Sequence, residues 1–168
     1  MNNYLSKITL NVNGLNAPIK RHRTAEWIIK HDPHICCLQE THLRTKDLHR
    51  LKVKGWKQIF QANRQERKAG VAMLIKNKVD FKRRAIKRDP DGHFIKLKGR
   101  IHQEDINIVN IYASNMGGPK YIKKILEDFK KDIDSNKIIV GDVNTPLSKM
   151  DRSSKQNINK DIVSRTIP

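Results

Sequence analysis

Three short, unbroken apolar runs constrain this chain most. They are Ile-Cys-Cys-Leu at 35–38, Val-Ala-Met-Leu-Ile at 71–75 and Ile-Ile-Val at 138–140. Such runs suit central strands buried on both faces rather than amphipathic helices. Turn formers bound them: Asp32-Pro33 before the first, Gly70 before the second, Gly141-Asp142 after the third. A sheet buried on both faces needs a layer above and a layer below, so helix must lie over sheet.

The rest of the pattern agrees with an α+β class. Residues 8–12 alternate and run into the Asn13-Gly14 turn. Pro18 opens a helix whose Ala25, Trp27, Ile28 and Ile29 are expected on one buried stripe, and Asp32-Pro33 ends it. Strands are expected over 56–61, 70–75, 81–86 and 106–112, the third a basic edge strand. Asp89-Pro90-Asp91-Gly92 reads as a hairpin turn, and Phe94, Lys96 and Lys98 then share one face. Ile122, Ile125, Leu126, Phe129 and Ile133 space an amphipathic helix over 121–133. Residues 43–54 read as polar and basic. After Leu147 the pattern fades, which divides the chain into a domain over 1–147 and a polar, loosely ordered tail over 148–168.

Charge narrows the partners. Thirty-five Lys and Arg face seventeen Asp and Glu, a formal net charge of +18 over 168 residues. A domain this basic is expected to meet polyanions through phosphate contacts. Aromatic residues make up 5%, too few for a dedicated single-strand stacking platform. No apolar run approaches a membrane span and no charged-then-apolar leader opens the sequence, so the expected place is the nucleus or cytoplasm. Cys36 and Cys37 are the two cysteines; neighbours rarely bridge, and they lack the spacing of a zinc site.

Four expected strands end in polar residues of one chemical kind. Asn11 ends the first, Glu40 the second, Tyr112 and Asn115 a later one, and Asp142 and Asn144 the last. Each alone is more often a turn former than a ligand. Together they place carboxylates and amides at one mouth of a sheet, a set that suits a hard cation such as Mg2+ and a phosphate oxyanion.

The segments Leu10-Asn11-Val12-Asn13-Gly14, Gln39-Glu40-Thr41-His42, Asn110-Ile111-Tyr112-Ala113 and Gly141-Asp142-Val143-Asn144-Thr145 resemble the endonuclease/exonuclease/phosphatase superfamily, which includes deoxyribonuclease I and the apurinic endonucleases. Ile19-Lys20-Arg21-His22-Arg23, Lys54-Gly55-Trp56 and Lys68-Ala69-Gly70-Val71-Ala72 are similar to the endonuclease domain of LINE retrotransposon proteins, with the likeness running from about 7 to about 161. The resemblance implies an incomplete two-sheet sandwich of the deoxyribonuclease I type. It implies a Mg2+-dependent enzyme that nicks double-stranded DNA and leaves a 3′ hydroxyl to prime reverse transcription. Glu40 would be the metal ligand, and Asn11 would orient the phosphate or the metal shell. Tyr112 would contact the phosphate, Asp142 would handle the attacking water and Asn144 a phosphate oxygen. Asn115 and Thr145 would touch DNA.

The departures carry expectations too. Members of that family extend further and close on Ser-Asp-His, whose His acts at the scissile phosphate. Here no histidine follows His102 and Ser-Asp-His is absent, so no general-base His is identified. His42, beside Glu40, is the nearest substitute; His22, His31, His34, His49, His93 and His102 read as surface residues. Val143 and Ser114 stand where Phe and Pro are usual. The expectation is an inactive or weak nuclease; the alternative is a non-catalytic basic remnant that binds nucleic acid. A folded chain is expected to be monomeric, with the apolar runs partly uncovered and prone to aggregate.

Overall fold

A computed structural model of the chain describes residues 5–64, 69–113, 120–131, 136–143 and 162–166. The first sheet holds β1 (Lys7–Asn11), β2 (Ile35–Gln39), β3 (Gln58–Ala62), β4 (Val71–Ile75) and β9 (Ile162–Thr166), in the order β3-β4-β2-β1-β9. The second holds β5 (Phe81–Arg88), β6 (Phe94–Ile101), β7 (Glu104–Ala113) and β8 (Asn136–Val143), in sequence order. β1 runs parallel to β2, and β7 parallel to β8. The helices are α1 (Pro18–His31) and α2 (Lys120–Lys131). The α+β class expected from the pattern and the two-sheet sandwich implied by the resemblance are the architecture found.

Three apolar layers hold it. Between the sheets, Ile35, Cys37, Val71, Met73 and Ile75 meet Ile95, Leu97, Ile106, Ile108, Ile138 and Val140. Outside the first sheet, Ile8, Leu10, Cys36, Leu38, Ala72 and Leu74 pack with Ile28, Leu43, Val53 and Trp56. Outside the second, Phe94, Val109, Ile111 and Ile139 pack on Leu126 and Phe129 of α2. The alternation of these sets along β2, β4, β7 and β8 is the strand period of two, with both faces covered. Each buried Leu, Ile or Phe contributes about 1.5–3 kcal/mol. The three apolar runs are therefore covered: none of their residues exceeds 4% exposure. This corrects the expectation that they lack cover. Burial also raises the Cys36 and Cys37 thiols above their ordinary range.

Local differences have physical reasons. Pro18 sits in the first turn of α1, where its missing N–H costs nothing, and Asp32 closes the helix in a left-handed conformation. Ile29 is 47% exposed, because it lies about 100° around the axis from buried Ile28. Thr24, Ala25, Trp27 and Ile28 carry the packed side instead. The basic stretch after Leu43 contains a 3-10 helix over Thr45–Arg50, anchored by buried Leu51 and Val53. Within the stretch read as a tail, Ile162–Thr166 forms β9, parallel to β1 from Lys7↔Ile162 to Asn11↔Thr166. Its two adjacent apolar residues, Ile162 and Val163, are too short a signal to stand out in a polar context. No helix among the described residues is long and apolar enough to cross a membrane.

Candidate functional site

β1 and β2 end side by side, with Asn11 in register with Gln39. The chain after each strand continues the ladder: the Val12 N–H donates to Gln39 O at 3.0 Å, Gly14 N–H to Glu40 O at 2.7 Å and Leu15 N–H to Thr41 O at 2.8 Å. This extension carries Glu40 just past the strand end, beside Asn11. The Asn11 side-chain amide donates to Glu40 Oε2, while Asn11 Oδ1 accepts the Asn13 N–H at 3.0 Å. Asn11 thus fixes the carboxylate with one end and its own turn with the other.

The backbone around Glu40 is unusual. Asn13, Glu40 and His42 all have φ between 50° and 56°, the left-handed region that costs a side-chain-bearing residue energy. The Thr41 and His42 N–H groups hold this shape by donating to Gly70 O and Ala69 O at 3.1 and 2.9 Å. Gly70 has φ +126°, and a Cβ there would stand 2.2 Å from Thr41 Oγ1. His42 Nε2 lies 3.7 Å from Glu40 Oε1, and both side chains are about one fifth exposed, at 23% and 22%. The Asn16 amide donates to His42 O at 2.8 Å. His42 is thereby placed next to Glu40, as its sequence position suggests.

The second sheet reaches the same mouth through a buried polar clamp. Thr9 Oγ1 donates to Gln39 Oε1 at 2.9 Å, and Gln39 Nε2 donates across the sandwich to Asn110 Oδ1 at 2.7 Å. Asn110 Nδ2 donates back to Leu38 O and Ala72 O at 3.0 and 2.9 Å. All three side chains are under 5% exposed. Gln39 and Asn110 stand next to site residues yet were not themselves site candidates. Their signal is a polar residue inside an apolar run: Asn110 interrupts Ile108-Val109-Ile111, and a buried amide must find partners. Two residues beyond Asn110, Tyr112 packs half-buried against the inter-sheet core, and the parallel register sets Asp142 beside it. The register also brings Gly141 against Ile111, where a Cβ would meet Ile111 O at 1.7 Å.

His93 adds to this end. Its carbonyl accepts the Tyr112 N–H at 2.7 Å, and its Nδ1 lies 3.1 Å from Oδ2 of buried Asp89, which also accepts the His93 N–H. His34, at the other end of the first sheet, accepts the Ser6 N–H on Nδ1 at 2.9 Å. Both are held rather than free on the surface, which corrects the surface reading for these two. Asn11, Glu40, Tyr112 and the backbone of Asp142 thus lie at the strand ends as expected. Asn115, Asn144 and Thr145 lie outside the described residues.

Among the described residues, no group of three or more His, Cys, Asp or Glu side chains gathers closely enough to hold a metal ion. A site for Mg2+ does not require one. That ion keeps several waters and takes one or two carboxylates together with substrate phosphate. The Glu40 carboxylate, half-buried and oriented by an amide, is a donor of that kind.

A family model described as the Endonuclease/Exonuclease/phosphatase family matches residues 8–166. Among solved structures, the chain is similar to Danio rerio (D. rerio) TDP2 complexed with a single-strand DNA product: 15% identity, TM-score 0.67, covering 89% of this chain and 64% of that one. It is also similar to the AP endonuclease LMAP from Leishmania major: 18% identity, TM-score 0.55, covering 76% of this chain and 45% of that one. A mannosyl-6-phosphatase from Bacteroides thetaiotaomicron matches at 15% identity and TM-score 0.59, covering 83% of this chain and 65% of that one. At these identities the likeness is one of fold, and the chain spans less than two thirds of each of these structures.

Proposed function

The chain belongs to the Endonuclease/Exonuclease/phosphatase family, and on that premise we propose that its mouth hydrolyses phosphodiesters in double-stranded DNA with Mg2+ bound at Glu40. The observation that carries this reading is the Asn11–Glu40 hydrogen bond at the joint end of β1 and β2, tied across the sandwich to the Tyr112 end of β7 by Gln39 and Asn110. When bound, the ion supplies charge stabilisation at the scissile phosphate. Asn11 keeps the Glu40 carboxylate aimed. Tyr112 contacts a phosphate oxygen. Asp142 accepts a proton as water attacks phosphorus and the P–O3′ bond breaks, and the departing O3′ alkoxide takes a proton from solvent water to become the hydroxyl. Asn144 takes up the developing oxyanion, and Asn115 and Thr145 contact the DNA beside it. Positioned acids, bases and donors of this kind are each worth about 10²–10⁴-fold in rate.

The finer reading follows the LINE-type segments: a nick that exposes a 3′ hydroxyl for priming, made by a monomer in the nucleus or cytoplasm. A supercoiled-plasmid nicking assay tests the proposal. Open circles should form with Mg2+, not with a chelator, and Glu40→Gln should remove them. DNA binding without Glu40-dependent nicking would favour the alternative, a non-catalytic basic binder.

A further inference from the structure

The outer face of the second sheet carries a row of cations that the mouth does not use. The strand period puts Lys96, Lys98 and Arg100 on the side of β6 that faces α2, since Phe94 packs there and Lys96 Nζ lies 5.6 Å from the Phe129 ring. The antiparallel register sets Lys87 opposite Lys96 and Lys82 opposite Arg100. Like charges directly opposite across a ladder destabilise it, and this face bears two such pairs, with the Ala85–Lys98 pair between them. A bulge between Arg83 and Ala85 adds Arg84 to the group. Lys82, Arg84, Arg100, His102, Gln103 and Asp80 line an open hollow of about 580 Å³. The nearby acids do not balance it: Asp105 takes one nitrogen of Arg100 at 3.1 Å. The side chains of Lys82, Arg84, Lys87 and Lys98 have no ion-pair or hydrogen-bond partner among the described residues.

We propose that this face, centred on Lys82, Arg84, Lys98 and Arg100, binds the backbone of a duplex DNA segment separate from the one at the mouth. The inference rests on the DNA reading above for the identity of the polyanion, but not on catalysis. Charge complementarity selects phosphate. Side chains on one face of a strand recur at about 6.6–6.8 Å, which makes an extended row rather than a pocket for one small anion. Among the described residues the row carries no exposed Phe, Tyr or Trp for unstacked bases, so it reads phosphates on a duplex surface instead of a splayed single strand. Distance separates it from the mouth. The hollow lies at the Glu104 end of β7, and Tyr112 is eight residues along, about 26 Å at 3.3 Å per residue. Duplex DNA has a persistence length of about 50 nm, so a segment seated at the mouth does not fold down this face.

The test measures binding of short duplexes by fluorescence anisotropy, in chelator so that nothing is cut. Wild type should bind two 12-base-pair duplexes per chain, and Lys82→Ser/Arg84→Ser/Lys98→Ser should bind one. The logarithmic salt slope of the lost site should be about −2 to −3, near −0.9 per phosphate contact. Glu40→Gln should keep both sites, which separates this proposal from the nuclease reading: absence of plasmid nicking leaves the two-site result intact. Lys82→Arg/Lys98→Arg keeps the charge and should bind like wild type, which guards against a folding defect. One duplex per chain in wild type, an unchanged slope in the triple serine variant, or tighter binding of a single strand at this face would each overturn it.

Discussion

The mouth and the outer face of the second sheet hold polar groups in opposite ways. At the mouth the polar side chains are tied to one another: Asn11 is held at both ends of its amide, Glu40 by Asn11, Thr9 to Gln39, and Gln39 to Asn110. On the outer face the side chains of Lys82, Arg84, Lys87 and Lys98 have no hydrogen-bond or ion-pair partner among the described residues. The first arrangement fixes geometry to fractions of an ångström, which directed chemistry needs. The second leaves long side chains free to follow a polyanion, which needs only field strength. Charge count alone cannot tell them apart; hydrogen-bond partners can.

The clamp is where that contrast is most easily broken. Asn110→Ala removes hydrogen bonds to Gln39, Leu38 O and Ala72 O and leaves a small void among buried groups. A loss of about 3–5 kcal/mol is expected, read as a lower urea midpoint with an unchanged slope. A loss below about 1 kcal/mol would show that the sheets do not depend on the clamp for their alignment. The covered apolar runs predict that wild type itself unfolds in one cooperative transition.

Glu40→Gln comes next. It keeps the shape and the Asn11 contact but removes the charge, so nicking should fall on the order of 10²–10³-fold with stability nearly unchanged. Equal nicking by both proteins would take Glu40 out of the reaction. Gly70→Ala probes the same loop from behind. A methyl group 2.2 Å from Thr41 Oγ1 at φ +126° cannot be housed without moving Thr41. A cost of about 1–3 kcal/mol in stability, with a loss of nicking if the loop shifts Glu40, is the expected result.

These residues also mark what the sequence discloses. The strands are legible because their two-faced burial leaves unbroken runs such as 35–38 and 71–75, and Pro18 and Asp32 bracket α1 by simple backbone chemistry. The strand-end residues are legible as a coincidence of polar endings. Asn110 and Gln39 are not, because their role exists only once two sheets pack and bring residues 71 apart within 2.7 Å. β9 escapes for a related reason: a five-residue strand in a polar stretch gains its meaning from the β1 edge it meets. His93 looks like a surface residue until the hairpin turn puts it against buried Asp89.

The smallest expected effect is a pH dependence at the end of the first sheet away from the mouth. His34 accepts the Ser6 N–H on Nδ1, and its backbone N–H donates to Ser6 Oγ at 3.0 Å. Partial burial first, and then the positive charge of Lys76, holds its pKa below the ordinary 6.5. The folded state therefore favours neutral His34 more than the unfolded chain does. That contribution is complete above pH 6.5, and it is lost as pH falls through the lowered folded value, because a protonated Nδ1 can no longer accept the Ser6 N–H. Nearby Asp32 is shifted down by its bond to Lys76, so its contribution is present above the unfolded carboxylate range and fades only below about pH 4. As pH falls from 7 to 5, wild type should lose more stability than His34→Gln, whose amide oxygen accepts a hydrogen bond without titrating. Parallel urea titrations at pH 7, 6 and 5 measure the difference, and identical pH profiles for the two proteins would show that Ser6 does not depend on a neutral ring.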